Sequence, residues 1–222
     1  MAGILQSLSA SYGASAGEIT VVQSKSGTTA DGSAGLTVSF DTPVTAGNAV
    51  IAFISAETEN GFSVNPTLVG GGAAALSQVV FVAEGGGGLF TNYIYKKTAV
   101  TGGETGVTFT WDGAVRANLT IIEVSGLADA VATDTDANTN TSTTASLAGL
   151  SGDGLAVVIF GAANAVEPFT EATLTSGWTN IAVEGGAAVY QMSAYRIDGA
   201  NAVSVDLTVS PWASAGAVFG AA

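Results

Sequence analysis

Apolar and polar residues alternate along this chain in short blocks, punctuated by Gly, Asp, Asn and Pro. A period of two is what half-buried strands require, because successive side chains leave opposite faces. The blocks ITVVQSKS (19–26), GLTVSF (35–40), SQVVFVAE (77–84), LFTNYIYKK (89–97) and GVTFTW (106–111) each predict a strand. In AVIAFISA (49–56) both alternating sets, Val50/Ala52/Ile54 and Ile51/Phe53, are apolar, so a central strand covered on both faces is expected. In VRANLTI (115–121) Val115, Ala117, Leu119 and Ile121 alternate with Arg116, Asn118 and Thr120, which predicts a strand with one face in the core and one in water. Further strands are expected at 154–163, 178–184, 188–197, 203–209 and 212–222. About a dozen strands and no helical period make the expected fold all-β, an antiparallel, jelly-roll-like β-sandwich.

The pattern is written twice. EGGGGLFTNYIYKKTAVTGGETGVTFTW (84–111) recurs as EGGAAVYQMSAYRIDGANAVSVDLTVSPW (184–212). At a shift of one hundred, Glu84, Phe90, Tyr95 and Lys96 fall on Glu184, Tyr190, Tyr195 and Arg196, and after one inserted residue Trp111 falls on Trp212. The segment 131–150 stands where 21–40 stood, and GLAVVIFGAA (154–163) where GNAVIAFISA (47–56) stood. Two pseudo-repeats, 18–127 and 128–222, are expected to build one pseudo-symmetric sandwich, a sheet set from each, behind an N-terminal arm at 1–17. The loops 57–76 and 164–177 do not match between the copies.

Composition narrows the function. Only 10% of the residues are charged and 47% are hydrophobic, which argues against disorder and for a surface partly covered by another chain. The net charge of −13 makes nucleic acid a poor partner, since binding it requires a basic surface. Cys and His are absent, so there is no disulfide, no Cys/His zinc site and no Ser-His or Cys-His pair. Residues 1–17 carry no basic residue and no sustained apolar core, so a secretory leader is not expected, and no apolar run is long enough for a membrane helix. The arm does carry apolar anchors at Ile4, Leu5, Leu8 and Tyr12, which are the expected assembly contacts.

PVTAGNAVIAFIS, a tyrosine-bearing strand, an xTxTW segment, an IIEVSGL strand and a closing Trp-plus-apolar strand ending near Phe219 follow one another here. This succession resembles a duplicated β-sandwich module of secreted bacterial proteins and tailed-phage structural proteins. The resemblance spans nearly all of the chain after residue 17 and implies a fold, not a catalytic group.

The candidate chemistry is thin. DTDAN (134–138) imitates the start of a calcium loop, but Thr139 and Ala145 stand where an EF-hand needs Gly and Glu, so a solvated strand end or Asx turn is expected. GGG (70–72) and EGGGG (84–88) open no helix and precede no GK[ST], so they read as hairpin turns and not phosphate cradles. A glycosidase pair would have to come from Glu84, Glu123, Glu184 and Asp198. Of the aromatics, Tyr93, Tyr95, Tyr190, Tyr195, Trp111 and Trp212 read as sheet-packing residues, with Trp178 the one weak candidate for a ligand platform. No catalytic residue, cofactor or metal is expected, and the chain is not expected to be an enzyme. The expectation is a structural virion protein at the particle surface, a decoration or cement protein of a tailed phage. It would contact itself, as a homo-oligomer such as a trimer, and the major capsid protein, with no nucleic acid or membrane partner. The alternatives are a carbohydrate- or receptor-binding sandwich of a fibre or cell surface, and a surface-filament subunit.

Overall fold

The computed structural model describes residues 18–29, 33–57, 65–71, 74–84, 90–127, 132, 134–163, 167–185, 189–208 and 211–222, with only the backbone at 112–115. The arm at 1–17, with Ile4, Leu5, Leu8 and Tyr12, lies outside the described residues. The first half contains β1 (Thr20–Thr28), β2 (Ser33–Ser39), β3 (Ala49–Glu57), β4 (Thr67–Val69), β5 (Ser77–Ala83), β6 (Phe90–Lys97), β7 (Gly106–Val115) and β8 (Ala117–Ser125). The second contains β9 (Asp134–Asn140), β10 (Thr144–Leu147), β11 (Leu155–Ala163), β12 (Phe169–Thr170), β13 (Thr179–Gly185), β14 (Val189–Arg196), β15 (Val203–Leu207) and β16 (Trp212–Phe219).

The fold is all-β and antiparallel. In the first half the strands are ordered β1-β8-β3-β6-β5 and β2-β7-β4; in the second, β9-β16-β11-β14-β13 and β10-β15-β12. Among the described residues each half is therefore an eight-stranded sandwich, wound like a jelly roll with its fifth strand on the larger sheet. The repeats do not share one sandwich. A Val/Ile/Leu/Phe core fills each, from Val50, Ile54, Phe109 and Leu119 in the first and Val158, Phe160, Val205 and Trp212 in the second.

The two five-stranded sheets then pack back to back. Ile51, Phe53, Ile94 and Ile122 of one meet Leu155, Val157, Ile159 and Phe219 of the other in a third apolar layer. β1 lies over β13 and β5 over β9, so a pseudo-two-fold axis relates the halves. This four-layer arrangement explains why AVIAFISA is apolar in both alternating sets: Ala49 to Ala56 is buried on both faces, as expected.

It also corrects the expectation for 115–121. β8 is buried along its whole length up to Val124. Asn118 and Thr120 face the second sandwich and not solvent: the Asn118 Nδ2 donates to the Val189 carbonyl (2.9 Å), and the Gln191 Nε2 donates to the Thr120 hydroxyl (2.9 Å). Their alternation marks a buried polar seam, which sequence periodicity reads in the same way as a wet face.

The repeat register slips by one residue in space. Val50 and Ala156 both face their own core, and they pair with Lys97 and Arg196 respectively. Lys97 therefore matches Arg196, Tyr95 matches Ala194, Asn92 matches Gln191 and Phe90 matches Val189. The sequence match of Tyr95 with Tyr195 places them on opposite faces, Tyr95 in its own core and Tyr195 at the seam, because a one-residue slip inverts every side chain of a strand. Trp111 and Trp212 are likewise not equivalent. Trp111 belongs to β7, whereas Trp212 opens β16 and pairs with Ala162 as Ala117 pairs with Ala56. The unmatched loops 57–76 and 164–177 hold β4 and β12, the third strands of the two small sheets.

Candidate functional site

Three of the candidate carboxylates brace the scaffold. Glu123, at the end of β8, accepts hydrogen bonds from the Thr45 amide (2.9 Å), the Gln23 side chain (2.6 Å) and the Asn48 side chain (2.6 Å). Burial by itself would raise its pKa, but those donors hold it below the ordinary glutamate range. It thereby ties the 41–48 turn to β1 and β8. Asp134 and Asp136 lie on the edge strand β9 and bind the segment that follows β10. Asp134 accepts from the Ser151 amide and hydroxyl (both 2.8 Å), and Asp136 from the Gly149 amide (2.7 Å). The Ser151 bonds hold Asp134 below its usual range. Asn138 completes the row by donating to the Ser146 carbonyl (3.3 Å). DTDAN is thus an edge strand laced to its neighbour, and among the described residues no group of three or more acidic side chains is placed to hold a metal.

The remaining acidic candidates do not converge. Glu84 is buried just beyond β5, while Glu184 lies inside β13 and accepts from the Ser26 hydroxyl (2.5 Å). β5 and β13 occupy opposite lateral edges of the molecule, and the register pairs Glu184 with Gln191 as Val82 pairs with Asn92. Asp198 lines a different feature, a cleft of about 580 Å³ shared with Glu18, Asp153, Ile19 and Ile197. A smaller groove of about 270 Å³ runs between the edges β1 and β13, lined by Val21, Val22, Ile181 and Tyr195 with Gln23 and Asn180. Gly70 and Gly71 have positive φ (81° and 57°), as a turn requires, and most of EGGGG lies outside the described residues.

The aromatic residues pack inward. Trp178 is 7% exposed and sits in the second core with Phe169 and Met192, so its ring offers no open platform. Tyr93, Tyr95, Trp111 and Trp212 are buried as well, and the Trp212 indole donates to the Ser142 carbonyl (3.1 Å). Burial and the neighbouring Tyr93 push the Tyr95 hydroxyl up to about 12, and burial raises Tyr93 also. The residue that sequence reasoning missed is Phe81, which is 55% exposed on β5 and stacked on Tyr93 at 6.1 Å. Plain alternation groups Phe81 with Ser77, Val79 and Ala83, and the bulge between Gln78 and Val80 that sets it on the face of Gln78 shows only in the strand pairing. A single open ring at an edge does not make a sugar platform.

No protein-family model matches the chain, and no curated protein or solved structure is significantly similar to it. Among the described residues no helix is long and apolar enough to cross a membrane.

Proposed function

We propose that the chain is a structural protein of a tailed-phage particle, a decoration or cement subunit at the capsid surface that works through contacts with its own copies and with the major capsid protein. The observation that carries this reading is how the polar side chains are used. Glu123, Asp134, Asp136, Asn118 and Gln191 are each committed to holding one strand or turn against another. A four-layer block with an acidic surface, in which these polar side chains brace strands and turns, suits a load-bearing role. The apolar arm anchors Ile4, Leu5, Leu8 and Tyr12 supply the contacts with neighbours, for which burying roughly 800 Å² per partner suffices.

Co-sedimentation of purified full chain with phage particles lacking it tests the proposal. Saturable binding that is lost when residues 2–17 are deleted, with the deleted protein still folded by circular dichroism, is the expected result. Equal binding by the deleted protein would remove the arm from the mechanism, and no binding by the full chain would remove the capsid as partner.

A further inference from the structure

The back faces of the two large sheets are built from unequal residues at equivalent positions. β6 presents Phe90, Asn92 and Ile94 where β14 presents Val189, Gln191 and Ser193. β8 presents Asn118, Thr120 and Ile122 where β16 presents Ala213, Ala215 and Ala217. The first copy is thus the bulkier at most of these positions on both strands. The pseudo-two-fold axis sets β6 over β11 and β16, and β8 over β13 and β14, so the bulky faces of β6 and β8 lie against the slender ones of β16 and β14. Phe90 packs on Val189 and Ala213, and the Asn92 Nδ2 donates to the Ala213 carbonyl (2.9 Å).

Gly161 sharpens this asymmetry. A Cβ at that position would stand 2.7 Å from the Asn92 Nδ2 and 2.7 Å from the Phe90 Cε2, distances at which atoms overlap. The equivalent residue of the first copy is Ser55. There the space is used differently: the Ser55 amide donates to the Gln191 Oε1 (3.0 Å) and its hydroxyl donates to the Asn92 Oδ1 (2.5 Å). Two first-copy faces brought together would drive Phe90 and Asn92 into Ser55 and stack β6 on the bulky β8. Two second-copy faces would set Val189 and Ser193 over three alanines and leave a void.

We infer that the seam is a heterospecific docking interface, in which the back face of the first sandwich fits that of the second and excludes another copy of itself. Phe90, Asn92 and Gly161 are its specificity-determining residues. Sandwiches of this chain therefore join through this face only as unlike pairs, and contacts between whole chains must use other surfaces.

The test is a reciprocal transplant in the full chain. One set puts the residues of β8 on β16 (Ala213→Asn, Ala215→Thr, Ala217→Ile); the other puts those of β14 on β6 (Phe90→Val, Asn92→Gln, Ile94→Ser). Each set alone should lower the thermal midpoint by about 10 °C or leave the protein aggregated, the first by overlap and the second by void. Together they restore a bulky strand against a slender one, so the combined protein should recover at least half of the larger loss and elute as the folded species. A combined midpoint that falls by the sum of the two losses, or a combined protein that fails to fold, would overturn the inference. So would single sets that leave the midpoint unchanged.

Discussion

Glu123 shows how a candidate catalytic group becomes a scaffold part. Its folded pKa lies below the unfolded value, so its contribution to stability is present in full above the unfolded pKa and is lost as pH falls through the folded one. Glu123→Gln should therefore lower the chemical-denaturation midpoint at pH 7 and make the variant and the native chain converge in stability as pH drops below about 4, the ordinary glutamate range. Glu123→Ala should cost more, on the order of 2–3 kcal/mol, because the Thr45 amide and the Asn48 side chain lose their buried acceptor. Urea titrations at pH 7 and pH 3.5 check both; a difference between native and Gln proteins that persists unchanged at low pH would contradict the assignment. The sequence places Glu123 among four candidate carboxylates, but does not show that Gln23 and Asn48, remote in the chain, close around it. The same limit applies to Trp178, whose burial depends on the neighbours that β12 and β14 bring to it.

The strands were the most legible elements where one side set was uniformly apolar. β3 and β11 announced their double burial because both sets are apolar. β8 concealed its own, since Asn118 and Thr120 look the same in sequence whether they face water or an amide of another sheet. Very short strands such as β4 and β12 carry too few residues to show any period, so the third strand of each small sheet was hidden in what read as a loop. The seam's polar pairing makes a prediction of its own. Thr120→Val should destabilise the protein by about 1–3 kcal/mol, because the buried Gln191 amide loses its acceptor, and Thr120→Val with Gln191→Leu should cost less than the sum of the two single losses, the remaining cost coming from the Ser55 amide that loses the Gln191 Oε1. Purely additive losses in thermal unfolding would show that the hydrogen bond is not what couples the two sheets. The outer strands of the large sheets are also guarded: β1, β5 and β13 each carry a register break, and β9 is laced with Asp134 and Asp136. Such edges resist strand-to-strand addition, which weighs against a filament grown through them.

At the scale of the molecule, the duplication was plain in the sequence and its geometry was not. Matching Tyr95 with Tyr195 maximises identity, but the fold matches Tyr95 with Ala194, since facing and not identity decides which residues are equivalent. One consequence is that the first copy keeps a Phe81–Tyr93–Tyr95 ladder, while the equivalent residues of the second are Val183, Met192 and Ala194, packed with Trp178. Another is that two sandwiches, each of which would expose an apolar sheet alone, cover one another within one chain. What remains outward among the described residues is an acidic surface with the clefts beside Asp198 and β1, and the proposed role rests on those surfaces, together with the segment 1–17, meeting a capsid. Quantitative mass spectrometry of density-purified phage particles carrying this gene tests that most directly. A fixed copy number of the chain relative to the major capsid protein, unchanged by further purification, is the predicted result; particles free of the chain, with the chain present in the same lysate, would contradict it.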